Sequence, residues 1–178
     1  MPSGWPGGSG RALARGAVFL LTALGAVAAD LSTKALATAS LQRHRPVEVV
    51  GEWVRLTLGY NEGVAFGLFA TDGPGVVLLS GAVLAALAVW AARALRDPGS
   101  PRGTALTLGL VLGGGVANLI DRVGDGRVTD FLDLGLGAHR WPTFNLADVA
   151  IVVGVALLML WSYRNSSADG ASAPPPSP

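Results

Sequence analysis

The chain has 178 residues, of which 51% are hydrophobic and only 14% charged, and its mean hydropathy of +0.48 is too high for a water-soluble domain, so it reads as an integral membrane protein. Cysteine is absent, which excludes disulfides, Cys-ligated zinc and a thiol nucleophile, and the two histidines, His44 and His139, are remote in sequence. A net charge of +1 gives no indication of a nucleic-acid partner, so any catalysis has to rest on carboxylates, amides and hydroxyls.

A membrane span needs about 20 predominantly apolar residues. Four stretches qualify: Gly16 to Leu36, Pro74 to Leu95, Gly103 to Ile120 and Phe144 to Tyr163. The first also has features of a cleaved signal peptide, since Arg11 and Arg15 precede an apolar run ending in the small-x-small triplet Ala26-Val27-Ala28. The apolar pattern continues through Leu31, Ala35 and Leu36, however, with Asp30 and Lys34 embedded in it, so a retained helix is expected. Asp30 and Lys34 are four apart and can pair along that helix as a brace.

The connection after the first span reads as sheet, because VEVVGEWVRLTLGY alternates Val54, Leu56 and Leu58 with Arg55 and Thr57. In the NEGVAFGLF stretch that follows, Asn61 serves either as a turn amide or as an amide facing a substrate, and Phe66 accompanies it. Gly113-Gly114-Gly115 in the third span lacks the Lys-Ser/Thr of a phosphate loop and the spacing of a dinucleotide turn, and close helix packing explains it better. That span closes on ANLIDR, which places Asn118 and Asp121 on one helix face beside Arg122. Arg122 can hold a carboxylate or a substrate carbonyl, or contact lipid headgroups.

The connection from 121 to 143 mixes turn signals with Phe131, Leu132, Leu134, Leu136 and Trp141, which fits a surface-lying segment, with Asp130 in a loop-like stretch before Phe131. The fourth span opens on FNLADV, where Asn145 and Asp148 again lie three apart. Helix capping accounts for either Asn-x-x-Asp pair alone. Two such pairs with Asp130 on one side of the membrane point instead to a site, since two close carboxylates tend to hold one proton between them and so provide both an acid and a base.

The expected fold is mainly α and integral to the membrane, with four transmembrane helices, a small extracytoplasmic β element at about 42–69, and a surface-lying segment between spans 3 and 4. Residues 1–14 form a cytoplasmic tail, 15–164 the four-span domain with an outer loop at 121–143, and 165–178 a disordered tail rich in Ser, Ala and Pro. Six of the thirteen Lys/Arg (Arg11, Arg15, Arg93, Arg96, Arg102 and Arg164) but only two of the twelve acids (Asp97 and Asp169) fall in the terminal segments and the 93–102 connection. That balance places both termini on the cytoplasmic side.

Asp30-Leu-Ser-Thr-Lys34, Asn61-Glu-Gly-Val-Ala-Phe66, Asn118-Leu-Ile-Asp121-Arg122, Val128-Thr-Asp130-Phe131 and Phe144-Asn145-Leu-Ala-Asp148 follow one another across four spans. As a set, over about residues 15 to 163, they resemble the lipoprotein signal peptidase family, signal peptidase II. One departure is Ala117, where that family usually has Gly. The resemblance implies an aspartyl endopeptidase of the bacterial cytoplasmic membrane that needs no metal or organic cofactor. It would cut lipid-modified prolipoproteins just before the diacylglyceryl cysteine, at the outer face among membrane lipids, and be inhibited by globomycin. By motif match, Asp130 and Asp148 would be the catalytic pair. Asn61, Asn118, Arg122 and Asn145 would contact substrate or orient the pair, and Asp30, Lys34, Asp121 and Phe66 would support the site. The rival reading of the polar residues is a transporter or channel subunit, against which four short spans without an evident repeat argue. A non-enzymatic scaffold would give no reason for five polar motifs on one side.

Overall fold

A computed structural model describes residues 7–63, 74–97, 99–101 and 103–171. In chain order the elements are α1 (Gly7–Ser40), β1 (Val47–Val50), β2 (Val54–Asn61), α2 (Pro74–Arg96), α3 (Thr104–Asp125), β3 (Val128–Leu136), β4 (His139–Arg140) and α4 (Leu146–Ala171). The four helices are each long and apolar enough to cross a membrane, over Gly10–Ser40, Gly75–Arg96, Thr104–Asp125 and Leu146–Arg164, and the protein is a multi-pass membrane protein. Helix α1 begins earlier than the four-span domain expected from composition, and α4 runs past residue 164 into the segment expected to be disordered.

Helix α3 is the innermost, packed against α1, α4 and, less extensively, α2. Its glycines make this possible. A Cβ on Gly113 would lie 2.6 Å from the Ala23 carbonyl oxygen of α1, and one on Gly114 would lie 2.5 Å from the Ala147 carbonyl oxygen of α4. Both obstacles are backbone atoms, so the helices meet at this distance only where α3 lacks a side chain. Away from the glycines, Ala91, Leu108 and Leu112 form an apolar core with Phe19, Leu84, Leu87 and Ala94.

The four strands form one antiparallel sheet in the order β1-β2-β3-β4. The first outer connection thus supplies β1 and β2, as its alternation indicates, while the segment read as lying along the surface supplies β3 and β4. Its sheet character is hidden because two of the four buried positions of β3 are aspartates. Asp130 and Asp133 are both buried. They are three apart, a spacing that simple alternation places on opposite faces. Asp133 is covered by neighbouring strands, since Thr57 Oγ1 donates to it at 2.7 Å and Arg140 Nε at 2.8 Å.

The chain after β4 returns along β3. Phe144 donates its N–H to the Leu132 carbonyl at 3.0 Å, and its own carbonyl accepts from the N–H groups of Phe131 and Leu132 at 3.0 and 2.8 Å. This pairing delivers residue 145, at the start of α4, to the side of Asp130.

Candidate functional site

Asn145 is fully buried and joins two elements. Its Nδ2 donates to Asp130 Oδ1 on β3 at 2.7 Å, while its Oδ1 accepts the Asp148 N–H at 3.0 Å. The Asn145 N–H in turn donates to Asp148 Oδ2 at 3.3 Å, so the pair forms a reciprocal cap on the first turn of α4. Capping and site formation are therefore one arrangement, and the same amide that starts the helix holds Asp130 beside it.

Asn118 of α3 completes the link. Its Nδ2 donates to Asp148 Oδ1 at 2.9 Å, and its Oδ1 accepts from Lys34 Nζ at 2.8 Å and from Asn145 Nδ2 at 3.2 Å. Lys34 also pairs with Asp30 at 2.6 Å and with Asp121 at 2.9 Å. The expected brace within the first helix is thus one side of a buried cluster that ties α1 to α3. The remaining oxygen of Asp30, Oδ1, accepts the Ala147 N–H of α4 at 2.8 Å, a second connection to the start of that helix.

The adjacency of Asp121 and Arg122 in sequence points to a local ion pair, but the side chains separate. Asp121 takes Lys34 and accepts the Thr129 N–H at 3.0 Å, anchoring the beginning of β3. Arg122 donates to the Asn118 carbonyl at 3.3 Å and to the Gly63 carbonyl at 2.8 Å, and its Nε is buried without a partner among the described residues. Its guanidinium stands within electrostatic reach of Asp148, Asp130 and Asp121. Asn61, at the end of β2, accepts the Gly63 N–H at 3.0 Å in a local turn, which shapes the segment that meets Arg122. Phe66 lies outside the described residues. The carbonyl of Gly63 and the N–H groups of Thr129 and Ala147 carry no sequence signal, because any residue type supplies them.

Asp130 and Asp148 differ in their surroundings. Asp130 is 3% exposed, and its pKa rises from 3.8 to about 7, first because burial disfavours its charge and second because Asp148 is close. Donation from Asn145 and the charges of Lys34 and Arg122 act in the opposite direction but are outweighed. Asp148 is half-buried at the first turn of its helix. A shielded carboxyl that can hold a proton near neutrality thus lies beside a more open carboxylate, the two joined by amides that fix their orientation.

The family described as Signal peptidase (SPase) II matches residues 22–164, which include Asp30, Lys34 and all of the clustered side chains. A lipoprotein signal peptidase of Moorella thermoacetica is 42% identical over 79% of this chain and 89% of its own. Those of Streptomyces coelicolor and Xylella fastidiosa are 38% and 36% identical, over 88% and 84% of this chain and 75% and 92% of theirs. A solved structure described as a bacterial membrane enzyme, 23% identical, superposes with a TM-score of 0.73 over 84% of this chain and 90% of its own, and shares the fold. With the family match covering residues 22–164, which include parts of all four helices and the whole polar cluster, the chain belongs to the signal peptidase II family of peptidases.

Proposed function

We propose that this protein is an aspartic endopeptidase that removes signal peptides from diacylglyceryl-modified prolipoproteins, cutting just before the lipidated cysteine, with Asp130 and Asp148 as its catalytic pair. The observation that carries this reading is buried Asn145, whose side-chain amide donates to Asp130, a carboxyl titrating near 7, while its backbone N–H donates to the more accessible Asp148 carboxylate. Peptide hydrolysis needs one group to take a proton from water and another to deliver a proton to the carbonyl oxygen or the departing amine. Asp148, half-open at the helix start, accepts the proton of the attacking water. Asp130, protonated through burial, donates to the scissile carbonyl. As the intermediate collapses, one of its hydroxyls returns a proton to Asp130 and the proton gained by Asp148 passes to the leaving nitrogen, which restores the pair.

Asn118 and Asn145 orient the pair, Arg122 offers donors to a substrate carbonyl, Asn61 contacts substrate or orients the pair, Asp30, Lys34 and Asp121 hold α1, α3 and β3 in place, and Phe66 is assigned to support of the site. Apolar helix faces accommodate the signal helix and the acyl chains among membrane lipids, and globomycin is expected to inhibit. No metal is expected to be required, because the chain has no cysteine and its two histidines, His44 and His139, are remote in sequence. Excess EDTA should leave the rate unchanged; activity lost in EDTA and restored by one added metal would sink the two-aspartate mechanism.

The test is cleavage of a lipidated precursor by purified protein, with and without globomycin. Asp130→Asn and Asp148→Asn should each abolish turnover while leaving a folded protein, whereas Asp121→Asn should lower activity in part or reduce yield. Near-normal turnover by folded Asp130→Asn together with a dead Asp121→Asn would mean that Asp121, not Asp130, partners Asp148.

A further inference from the structure

Just past the end of α1 the chain reverses in a tight turn. The Arg45 N–H donates to the Gln42 carbonyl at 3.2 Å, and His44 sits at φ 63°, the only non-glycine residue at positive φ among the described residues. L-residues avoid this backbone state, and it is a feature to be explained. The turn sets Arg43, His44 and Arg45 in succession on an exposed surface. The Arg43 guanidinium lies 4.9 Å from the centroid of the Tyr60 ring on β2, and Arg127, between α3 and β3, lies 4.0 Å from the same centroid.

Two like charges thus share one ring. Neither forms an ion pair with a carboxylate among the described residues, and Arg127 Nε is buried without a hydrogen-bond partner there. Stacking engages the flat face of a guanidinium and leaves its N–H edge to donate in the plane, the geometry suited to phosphate. Arg43 follows the end of α1 and Arg127 follows the end of α3, so both stand at the end of the bundle that carries the sheet. In the proposed orientation this is the outer side, where arginine works against the insertion bias, so topology does not account for these cations.

We propose that Arg43 and Arg127, stacked on Tyr60, form a site for the phosphate of an anionic phospholipid headgroup in the outer leaflet. The site lies along β2 and β3 from Asp130, since Tyr60 is paired with Thr129. A bound lipid there marks the headgroup level next to the catalytic strand. Assignment to the outer leaflet rests on the proposed orientation; binding does not.

The experiment is native mass spectrometry of the full-length protein released from mixed micelles of phosphatidylglycerol and phosphatidylcholine. The parent should retain phosphatidylglycerol preferentially. Arg43→Gln and Arg127→Gln should each weaken that preference about fivefold, the increment of one basic residue at an anionic surface, and the double variant should lose it. Both variants should cleave a lipidated precursor in phosphatidylcholine vesicles at the parent rate, which separates this site from the protease reading. No preference in the parent, an undiminished preference in the double variant, or displacement of the lipid by equimolar inorganic phosphate would each overturn the proposal. So would dependence of cleavage on an acidic residue after the substrate cysteine that disappears in the double variant, since the arginines would then read polypeptide. If the glutamine double variant fails to fold, Arg43→Lys with Arg127→Lys decides, because a headgroup site must survive with its charges and equal retention of both lipids would overturn it.

Discussion

Among the described residues, Lys34 is the one cation in direct contact with both Asp30 and Asp121. Its ammonium faces Asp30 at 2.6 Å, Asp121 at 2.9 Å and the Asn118 oxygen at 2.8 Å, and it is 4% exposed. Replacing it by methionine keeps most of the volume but leaves two carboxylates without a counter-charge, a change that costs on the order of 3–5 kcal/mol for a buried pair. Lys34→Met should therefore unfold in detergent well below the parent temperature; an unchanged melting temperature would show that the carboxylates are protonated without it. Asp130 gives the opposite sign. Its folded pKa of about 7 lies above the ordinary 3.8, so the folded state keeps the proton longer than the unfolded chain. The associated stability is complete below about 3.8 and is lost as pH rises through about 7. Asp130→Asn has no proton to lose and can still accept from Asn145. Its melting temperature should gain on the parent between pH 5 and pH 8, and a gap that is constant or narrows with pH would contradict the raised pKa. In cleavage, the same group should impose a fall in kcat/KM as pH rises through about 7.

Among the elements, the helices were the most legible in sequence and the sheet the least. Spans announce themselves by length and apolarity, and the glycine triplet of α3 announced close packing without saying which neighbours it met. Strand β2 was readable because Val54, Leu56 and Leu58 alternate with Arg55 and Thr57; β3 was not, because Asp130 and Asp133 occupy covered positions that a hydrophobic pattern assigns to solvent. The clustered polar residues were recognisable as five motifs, but the pairing of Asp121 with Lys34 rather than with its neighbour Arg122 depends on α1 and α3 being side by side, which spacing along one helix cannot show. The glycines offer a test with two signs. Gly113→Ala places a methyl group against the α1 backbone and should destabilise by about 1–3 kcal/mol, as overpacking does. Gly25→Ala, in α1, meets nothing within 4 Å and should be neutral or stabilising by up to about 1 kcal/mol, the helix-propensity difference. Thermal unfolding of the two variants in one detergent checks both, and equal destabilisation would mean that the close approach of α1 and α3 is not what Gly113 provides.

For the whole molecule, one asymmetry organises the rest: the sheet, the polar cluster and the reciprocal cap of α4 all lie toward one end of the bundle. Asp30 marks the depth of that cluster, since it accepts the N–H of Ala147 in the first turn of α4. Helix α1 continues to Ser40, ten residues beyond Asp30, which corresponds to about 15 Å of rise. Strands β2 and β3 contact α1, and the polar cluster lies below the end of that helix, with Asp130 buried and Asp148 half-buried. In the proposed role, a lipid-anchored substrate presents its scissile bond near the headgroups while water reaches the half-open Asp148. The cluster is then expected to face away from the cytoplasm, the side to which Arg11, Arg15, Arg93, Arg96, Arg102 and Arg164 assign the other end of the bundle. The chain lacks cysteine, so single cysteines report on this directly. Val49 and Gly124 are exposed at the sheet end and Gly99 is exposed at the opposite end, and none of the three is at positive φ. In intact cells Val49→Cys and Gly124→Cys should react with a membrane-impermeant maleimide and Gly99→Cys only after permeabilisation. The reverse pattern would put the carboxylate pair on the cytoplasmic face, out of reach of a secreted precursor, and both the orientation and the lipoprotein-processing role would fall together.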